Sequence, residues 1–193
     1  MVRPPPLSVG VRTMIQKVSM DRLISLVWLA MLGCLSSCAS FNAPLDYKLS
    51  PSSDYGLAVL SFTANGRVGN FFLQYRDIAT SNGGDITLWT FKNPLDWRSP
   101  TRGRLVVLEL PAGSYEIYQW IAPLSAKSDS SFSIPFRVLR GKATYLGNVH
   151  VNIGQGTYEF RVENTAQRDL DVLFRRYPHL RKDDIEIAIS SIR

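Results

Sequence analysis

The chain has few of the residues from which proteins build metal sites and disulfide frameworks. Its 193 residues include only two cysteines and two histidines. The cysteines, Cys34 and Cys38, are close together near the N-terminus. A structural zinc site needs a complete tetrahedral set of ligands, and a disulfide framework needs cysteine pairs distributed along the chain. The composition therefore excludes both, and we expect no metal and no cofactor.

The chain also lacks a strong excess of charge of either sign. Lys and Arg total 22 against 16 Asp and Glu, a formal net charge of +6. Four of the bases and one of the acids precede residue 38, which leaves 18 bases, 15 acids and a net charge of +3. Nucleic-acid-binding proteins carry a basic stripe, so we expect no nucleic acid as a partner. Hydrophobic residues at 45% and charged residues at 20% exclude wholesale disorder.

The N-terminal apolar run is too short to span a bilayer. Residues 23–33 are 11 residues, whereas a membrane-spanning helix needs about 20 and the apolar core of a secretory signal about 7–15. Basic residues precede the run and small residues follow it. We therefore predict a signal peptide over residues 1–37. Met14 and Met20 are alternative start sites in the same frame.

The sequence Leu35-Ser36-Ser37-Cys38 resembles the lipobox of bacterial lipoproteins. In that motif a leucine and small residues precede a cysteine whose thiol accepts a diacylglyceryl group before cleavage. The resemblance implies cleavage between Ser37 and Cys38, acyl chains such as palmitate on Cys38, and attachment to a membrane of the bacterial cell envelope. Ala39, rather than aspartate, follows the cysteine, which in Gram-negative lipoproteins favours the outer membrane. The alternative is ordinary cleavage after Ala39 or Ser40.

The rest of the chain divides into a tether and one domain. Residues 38–55 are polar and rich in proline and serine, as linkers are, and residues 56–193 are enough for one domain. Turn signals separate short runs of β-branched and aromatic residues, which are typical of strands. The predicted strands are 57–63, 71–76, 86–92, 104–110, 114–121, 132–139, 149–153, 157–163 and 185–189.

The fold class follows from this pattern. Residues 149–153 and 157–163 both alternate apolar and polar side chains around a glycine turn, which predicts a hairpin with one buried face. The regular turn spacing predicts an antiparallel β-sandwich of about eight or nine strands. Pro135 removes an N–H group from its strand, which therefore belongs at a sheet edge or carries a bulge.

One C-terminal helix interrupts the strands. An apolar stripe at helical spacing predicts it, Thr165 can cap it, and Pro178 should end it. The members of the stripe are Leu170, Leu173, Phe174 and Tyr177.

A second resemblance supports the sandwich. Residues 110–115, Leu-Pro-Ala-Gly-Ser-Tyr, resemble a turn of small transthyretin-like or immunoglobulin-like modules of envelope lipoproteins. Residues 136–138 and 141–147 are similar to the later strand and turn of those modules. The resemblance covers about 40 residues and implies no catalytic residue.

The chain lacks the motifs that carry hydrolytic or metal chemistry. It has no Gly-x-Ser-x-Gly elbow, no His-Glu-x-x-His and no phosphate-binding glycine loop. We expect His150 on the outward face of its strand and His179 in a loop. Asp183 and Asp184 neighbour two basic residues, which favours a solvated loop over a cation site. No catalytic residue and no metal ligand is predicted.

Two groups of residues are candidates for binding. The loop with Trp97, Arg98, Arg102 and Arg104 combines an aromatic ring with arginines, as partner-binding surfaces do; the alternative is that Trp97 folds back onto the sandwich. The second group lies around the helix C-terminus, where it could meet anionic lipid headgroups or complement the helix dipole. Its members are Arg175, Arg176, Arg181 and Lys182.

These observations predict a non-enzymatic, lipid-anchored envelope lipoprotein whose β-sandwich binds another envelope protein or polymer. One alternative is a periplasmic enzyme that acts on envelope polymer or lipid. Another is a structural assembly subunit that pairs through an edge strand near Pro135.

Overall fold

The fold is mainly β, as the sequence predicts. A computed structural model describes residues 42–65, 70–88, 93–97, 101–122, 126–129, 131–154 and 157–193. The predicted signal peptide, its cleavage site, Cys38, Trp89 and Arg98 lie outside these residues. The described residues belong to one compact unit.

Ten strands and one α-helix occur in the described ranges. The strands are β1 (Tyr55–Ala64), β2 (Phe71–Asp77), β3 (Gly83–Leu88), β4 (Asp96–Trp97), β5 (Arg102–Pro111), β6 (Gly113–Ile121), β7 (Ile134–Val138), β8 (Ala143–Ile153), β9 (Tyr158–Glu163) and β10 (Ile185–Ile187). The helix is α1 (Ala166–Arg176), and a 3₁₀ turn, Lys182–Asp184, precedes β10.

The strands form two sheets that pack face to face. Sheet A has the order β10, β8, β1, β5, β4, with β9 also paired to β8, and sheet B has the order β3, β2, β6, β7. Alternate side chains of each strand point between the sheets, because successive residues of a strand face opposite sides. The largest hydrophobic cluster fills this space with Leu60, Phe62, Phe71, Leu73 and Ile117 among its buried members.

The central strand β1 is buried on both faces. Its even-numbered residues, such as Leu60 and Phe62, face sheet B. Its odd-numbered apolar residues, Leu57 and Val59, join a second cluster with Leu173 and other residues of the helical region. The helix therefore covers the outer face of sheet A and makes a third layer.

Two pairings differ from the antiparallel pattern. β8 pairs in parallel with β1 and with β10, while the remaining pairs between strands are antiparallel. The β1–β8 register shifts between Val59 and Ser61, opposite Gly147 on β8, which has a φ of 104°. This bulge turns the side chains of Tyr145 and Asn148 to the same outer face. The sandwich prediction is confirmed, with sheet A of mixed type.

The predicted edge strand and hairpin are both present. β7, which contains Pro135, pairs only with β6 among the described strands and ends sheet B. β8 and β9 pair with Val151 opposite Phe160.

The helix begins and ends where its sequence signals lie. Thr165 is the N-cap residue, but its side chain makes no capping bond. Its Oγ1 instead donates to the carboxylate of Asp169 at 2.8 Å. Leu173 and Tyr177 are fully buried against sheet A, and Pro178 directly follows the C-cap residue.

Residues of the predicted tether lie against the domain. The N–H of Ala43 donates to the carbonyl of Val107 at 2.7 Å, and Asn42 Oδ1 accepts from the N–H of Val107 at 2.8 Å. The hydroxyl of Tyr177 donates to the carbonyl of Ala43 at 2.8 Å, and that of Tyr47 to Glu109 at 2.9 Å. From Asn42 onward the segment is therefore part of the folded unit, because it supplies hydrogen bonds to the outer edge of β5.

The C-terminal segment joins the two sheets. After β10, the N–H of Ser190 donates to the carbonyl of Leu146 in sheet A, and the N–H of Arg193 donates to the carbonyl of Ser133 beside β7.

None of the helical segments in the described ranges is long and apolar enough to cross a membrane.

Three tyrosines should make the fold sensitive to alkali. Burial raises the pKa of Tyr177 from 10.0 to about 12, and burial with the charge of Asp77 raises the pKa of Tyr115 to about 12. Burial and the hydrogen bond to Glu109 raise the pKa of Tyr47 to about 12. The unfolded chain loses these protons first, so the free energy of unfolding should be flat below about pH 9 and fall between about pH 10 and 12.

Urea denaturation at several pH values measures this fall. Tyr177→Phe should make the fall shallower, because the phenol that ionises in the unfolded chain is gone. An unfolding free energy that stays constant up to pH 12 would contradict the assignment.

Candidate functional site

Trp97 packs on the sandwich rather than standing in solvent. It belongs to β4, and its indole lies so close to Gly103 that a Cβ there would be 2.4 Å from two ring carbons. The guanidinium carbon of Arg168 lies 4.8 Å from the ring centroid. Trp97 is half-buried and packs against the outer hydrophobic cluster. This is the arrangement that the sequence left as the alternative to partner binding.

Arg104 is committed to contacts inside the fold. Its Nε and Nη2 donate to the two oxygens of Asp96 at 2.6 and 3.1 Å, and its Nη1 donates to the carbonyl of Thr87 at 2.9 Å. Thr87 lies in β3, so this side chain ties sheet A to sheet B. Arg102 is half-buried in the same strand. Arg104 therefore has a structural role, and its guanidinium is not free for the partner-binding surface that the sequence predicts.

A buried carboxylate lies between α1 and sheet A. Asp169 is fully buried, and its Oδ2 accepts from the hydroxyls of Ser61 and Tyr145, each at 2.6 Å. Its Oδ1 accepts from Nε of Arg168 at 2.8 Å. Burial and the hydrogen bond to Asp169 raise the pKa of Tyr145 far above its ordinary range, so this phenol stays protonated.

The hydrogen-bonded chain continues across the sheet. The hydroxyl of Thr63 donates to Oδ1 of Asn148 at 3.0 Å, and Nδ1 of His150 lies 2.8 Å from the same hydroxyl. The amide of Asn148 donates to Glu163 at 3.2 Å.

This network is suited to holding the helix in place. Its serine, threonine, tyrosine and carboxylate groups bond to one another, and Ser61, Thr63, Asn148 and Asp169 are buried. A nucleophile has to reach substrate and be activated by a base, and a buried hydroxyl that donates to a carboxylate under a helix does not reach one. Because buried polar groups are costly when unpaired, a satisfied network fixes one arrangement of its members.

An aromatic cleft opens at the side of the sandwich. The ring centroids of Trp120 and Phe160 lie 5.1 Å apart in a stacked arrangement, and Tyr158 lies 5.2 Å from Trp120. The ring of Phe132 meets Phe160 edge-on at 5.4 Å. These four rings are half-buried, so each presents one part to the core and another to solvent. We call this surface the aromatic cleft.

The rim of the aromatic cleft is polar and carries both signs of charge. The cleft measures about 610 Å³, and Lys127, Asp129, Glu159 and Arg193 stand around its aromatic floor. Ligand sites combine apolar and aromatic side chains with polar groups that fix the orientation of the ligand, and this open cleft has both kinds of side chain. Aromatic rings also provide large contact area with few rotatable bonds.

The described residues offer no cation site. No group of three or more His, Cys, Asp or Glu side chains within the described ranges could hold a metal ion. His179 is exposed in the loop after α1, and Asp183 is exposed in the 3₁₀ turn before β10.

Sequence reasoning missed both the carboxylate network and the cleft. Ser61 and Thr63 interrupt the apolar run of β1 on its outer face, which was an available sign of polar contacts there. Trp120 lies in β6, where it packs against the core and also lines the cleft. Its pairing with Phe160 depends on how β6 and β9, from different sheets, meet, and no local pattern records this.

Comparison with known proteins adds no family. No protein-family model and no curated protein matches the chain. Among solved structures, a leucine-rich repeat protein from Bacteroides thetaiotaomicron is similar over 55% of this chain at 13% identity, with a TM-score of 0.34. The chain spans 15% of the length of that protein. A likeness of this size supports no inference about fold or function.

Replacing Asp169 should destabilise the protein strongly. Asp169→Ala removes the buried carboxylate that accepts from the hydroxyls of Ser61, Tyr145 and Thr165. Only the weaker neutral acceptors Asn148 Oδ1 and Thr165 Oγ1 stay within reach of Ser61 and Tyr145, so the substitution should lower the free energy of unfolding by about 3–5 kcal/mol. Urea denaturation measures this. The matched control is Asp171→Ala, an exposed position on the same helix, which should change stability by less than about 0.5 kcal/mol. Equal effects of the two substitutions would refute the role of the network.

A second substitution separates packing from binding at Trp97. Trp97→Ala should lower the free energy of unfolding by about 1–3 kcal/mol, because it empties the half-buried space over Gly103. Thermal denaturation is the measurement. Unchanged stability together with loss of partner capture would instead support the binding role predicted from the sequence.

Proposed function

We propose that the protein is a non-enzymatic lipoprotein, held in the bacterial cell envelope by acyl chains on Cys38, whose β-sandwich binds another envelope component. The lipobox-like sequence supports the anchor, and its Ala39 supports the outer membrane over the inner. The observation that carries the binding role is the aromatic cleft, with its stacked Trp120 and Phe160 and its charged rim.

The anchor has a sufficient energetic basis. Each methylene group that enters the bilayer contributes about 0.8 kcal/mol, so one acyl chain binds reversibly whereas several hold a protein stably. Such an anchor needs no apolar face on the domain itself. The folded unit then works as a water-facing module at a membrane surface.

The cleft fits the binding role better than the other candidate surfaces do. Its rings are open on one side, while Trp97 is covered by Arg168 and Arg104 is bonded to Asp96. Its rim has donors and acceptors that can orient a ligand, which is either an envelope protein or a polymer. The closed arrangement around Asp169 gives less support to the enzyme alternative.

Metabolic labelling tests the anchor. Cells given a tagged palmitate should incorporate it into the wild-type chain and into Cys34→Ser, the matched control, because Cys34 belongs to the predicted signal peptide. Cys38→Ser should be unlabelled and should leave the membrane fraction. Label that persists in Cys38→Ser would refute the anchor.

Site-specific photo-crosslinking in cells tests the cleft. A photoreactive residue in place of Asp129, at the rim, should give a discrete adduct, whereas one in place of Ile78, which is 55% exposed in the β2–β3 turn, should not. Digesting the adduct with a protease or with a glycan hydrolase distinguishes a protein from a polymer.

A matched pair of substitutions completes the test. Tyr158→Leu removes a ring of the cleft but keeps an apolar side chain, and it should reduce the adduct at position 129 at least fivefold. Tyr55→Leu changes a tyrosine that is 46% exposed elsewhere, and it should have no effect. Equal adducts at positions 129 and 78, or an adduct insensitive to Tyr158→Leu, would overturn the role of the cleft.

A further inference from the structure

We infer that the C-terminal end of α1 docks on anionic phospholipid headgroups of the membrane that holds the anchor. This inference rests on the proposed lipid anchor and adds a second, electrostatic contact to it. We call the surface the basic helix end and define it by Arg175, Arg176, Arg181 and Lys182.

The N-terminal segment meets the domain at the C-terminal end of α1. The hydroxyl of Tyr177, the C-cap residue of α1, donates to the carbonyl of Ala43 at 2.8 Å. The backbone of Ala43 is also bonded to Val107 of β5 at 2.7 Å. The chain is therefore fixed to the last turn of the helix only a few residues after Cys38.

The chain between Cys38 and the domain is short. Four peptide units separate Cys38 from Asn42 in the sequence, and a fully extended chain spans at most about 3.6 Å per residue. Asn42 thus lies within about 14 Å of an acylated Cys38 at the bilayer surface. Because Tyr177 contacts Ala43, the end of the helix is the part of the described domain that this short connection holds near the headgroups.

The C-terminal end of α1 is positively charged. Arg175 and Arg176 are exposed, and neither forms an ion pair with a carboxylate of the described residues. Nε of Arg175 donates to the backbone carbonyl of Asp171 at 3.1 Å. Arg181 faces Asp184 at 3.6 Å, and Lys182 stands beside the exposed Asp183. The two adjacent arginines are thus the uncompensated positive charge of the basic helix end.

A groove next to these arginines has no unpaired carboxylate among its lining residues to neutralise them. It measures about 470 Å³ and lies between α1 and the β4 region, with Arg175, Arg176 and Trp97 among its lining residues. The carboxylate in the groove, Asp96, is already paired with Arg104. An arginine fork binds the oxygens of a phosphate in pairs, so a phosphodiester headgroup is the chemistry that this surface fits.

Vesicle binding without the anchor tests the surface itself. The protein is residues 38–193 with Cys38→Ser, a chain that contains the whole compact unit described above. It should co-sediment with phosphatidylcholine vesicles that contain 30% phosphatidylglycerol, and not with phosphatidylcholine alone. Arg175→Gln with Arg176→Gln should weaken binding about 30-fold, or about fivefold for each arginine near an anionic surface.

The matched control changes two arginines on other surfaces. Arg140 and Arg161 have side-chain exposures of 62% and 60%, and Arg140→Gln with Arg161→Gln should leave vesicle binding within about twofold. Equal weakening by the two double variants would show that only net charge matters and would overturn the inference. Tighter binding to soluble poly-glutamate than to the anionic vesicles would assign the surface to a polymer and would also overturn it.

Orientation is tested by attaching the same chain, with Cys38 intact, to a maleimide lipid in vesicles. Phenylglyoxal should modify Arg175 and Arg176 at least fivefold more slowly on anionic than on neutral vesicles, and the difference should vanish in 0.5 M NaCl. Arg140 and Arg161 should react alike on both. Unchanged rates at Arg175 and Arg176 would refute the docking.

These outcomes are independent of the labelling with palmitate, because the coupling to lipid is chemical. A labelled protein with an unprotected helix end would leave the lipoprotein proposal intact and reject this one. An unlabelled protein whose helix end is protected would reject the lipid anchor and would show that the basic helix end binds anionic lipid without it.

Discussion

Covering both faces of β1 is the constraint on which the rest of the structure depends. A strand in the middle of a sandwich normally buries one face, and its other face meets water. Here Leu57 and Val59 add apolar side chains to the second face. The helix, the loop after it and the segment around Ala43 all pack over this face. The protein is thus a sandwich with one covered side, and the basic helix end is part of that cover.

The cover passes over polar as well as apolar positions, and this explains the buried carboxylate. Beyond Val59 the outer face of β1 continues with Ser61 and Thr63, whose hydroxyls are buried and need hydrogen-bond acceptors. Asp169, on the first turns of α1, accepts from Ser61, and Asn148 accepts from Thr63. The same pairing fixes the position of the helix along the sheet, because a shift would leave several buried donors without acceptors.

Local patterns in the sequence were sufficient for the elements that have one buried face. The alternation in β8 and β9 predicted their hairpin, the stripe through Leu173 predicted α1, and Pro135 predicted an edge strand. Contacts between distant segments could not be read in this way. The parallel pairing of β1 with β8 joins strands that are far apart in sequence, and the bulge at Gly147 changes which residues share a face.

The candidate surfaces also differ in whether neighbouring residues or distant segments form them. Trp97 and its neighbouring arginines are candidates because they are close together in the sequence. In the fold, however, Trp97 and Arg104 contact other residues of the domain. The aromatic cleft draws its rings from β6, β9 and the loop before β7, so only the tertiary structure assembles it. The sequence shows the basic helix end as a cluster, but its closeness to the N-terminal segment depends on the hydrogen bond between Tyr177 and Ala43.

The docking of Asn42 and Ala43 on β5 has a consequence for aggregation. β5 is a long strand with the apolar run Leu105–Leu108, and its partner on the outer side, β4, is only two residues long. Exposed edges of this kind are templates for pairing with other chains. Leu95, Ala43 and Asn42 take up the backbone groups of Leu105 and Val107 that β4 does not reach. The segment at Asn42 and Ala43 therefore caps this edge of β5 and blocks edge-to-edge pairing with another copy of the chain.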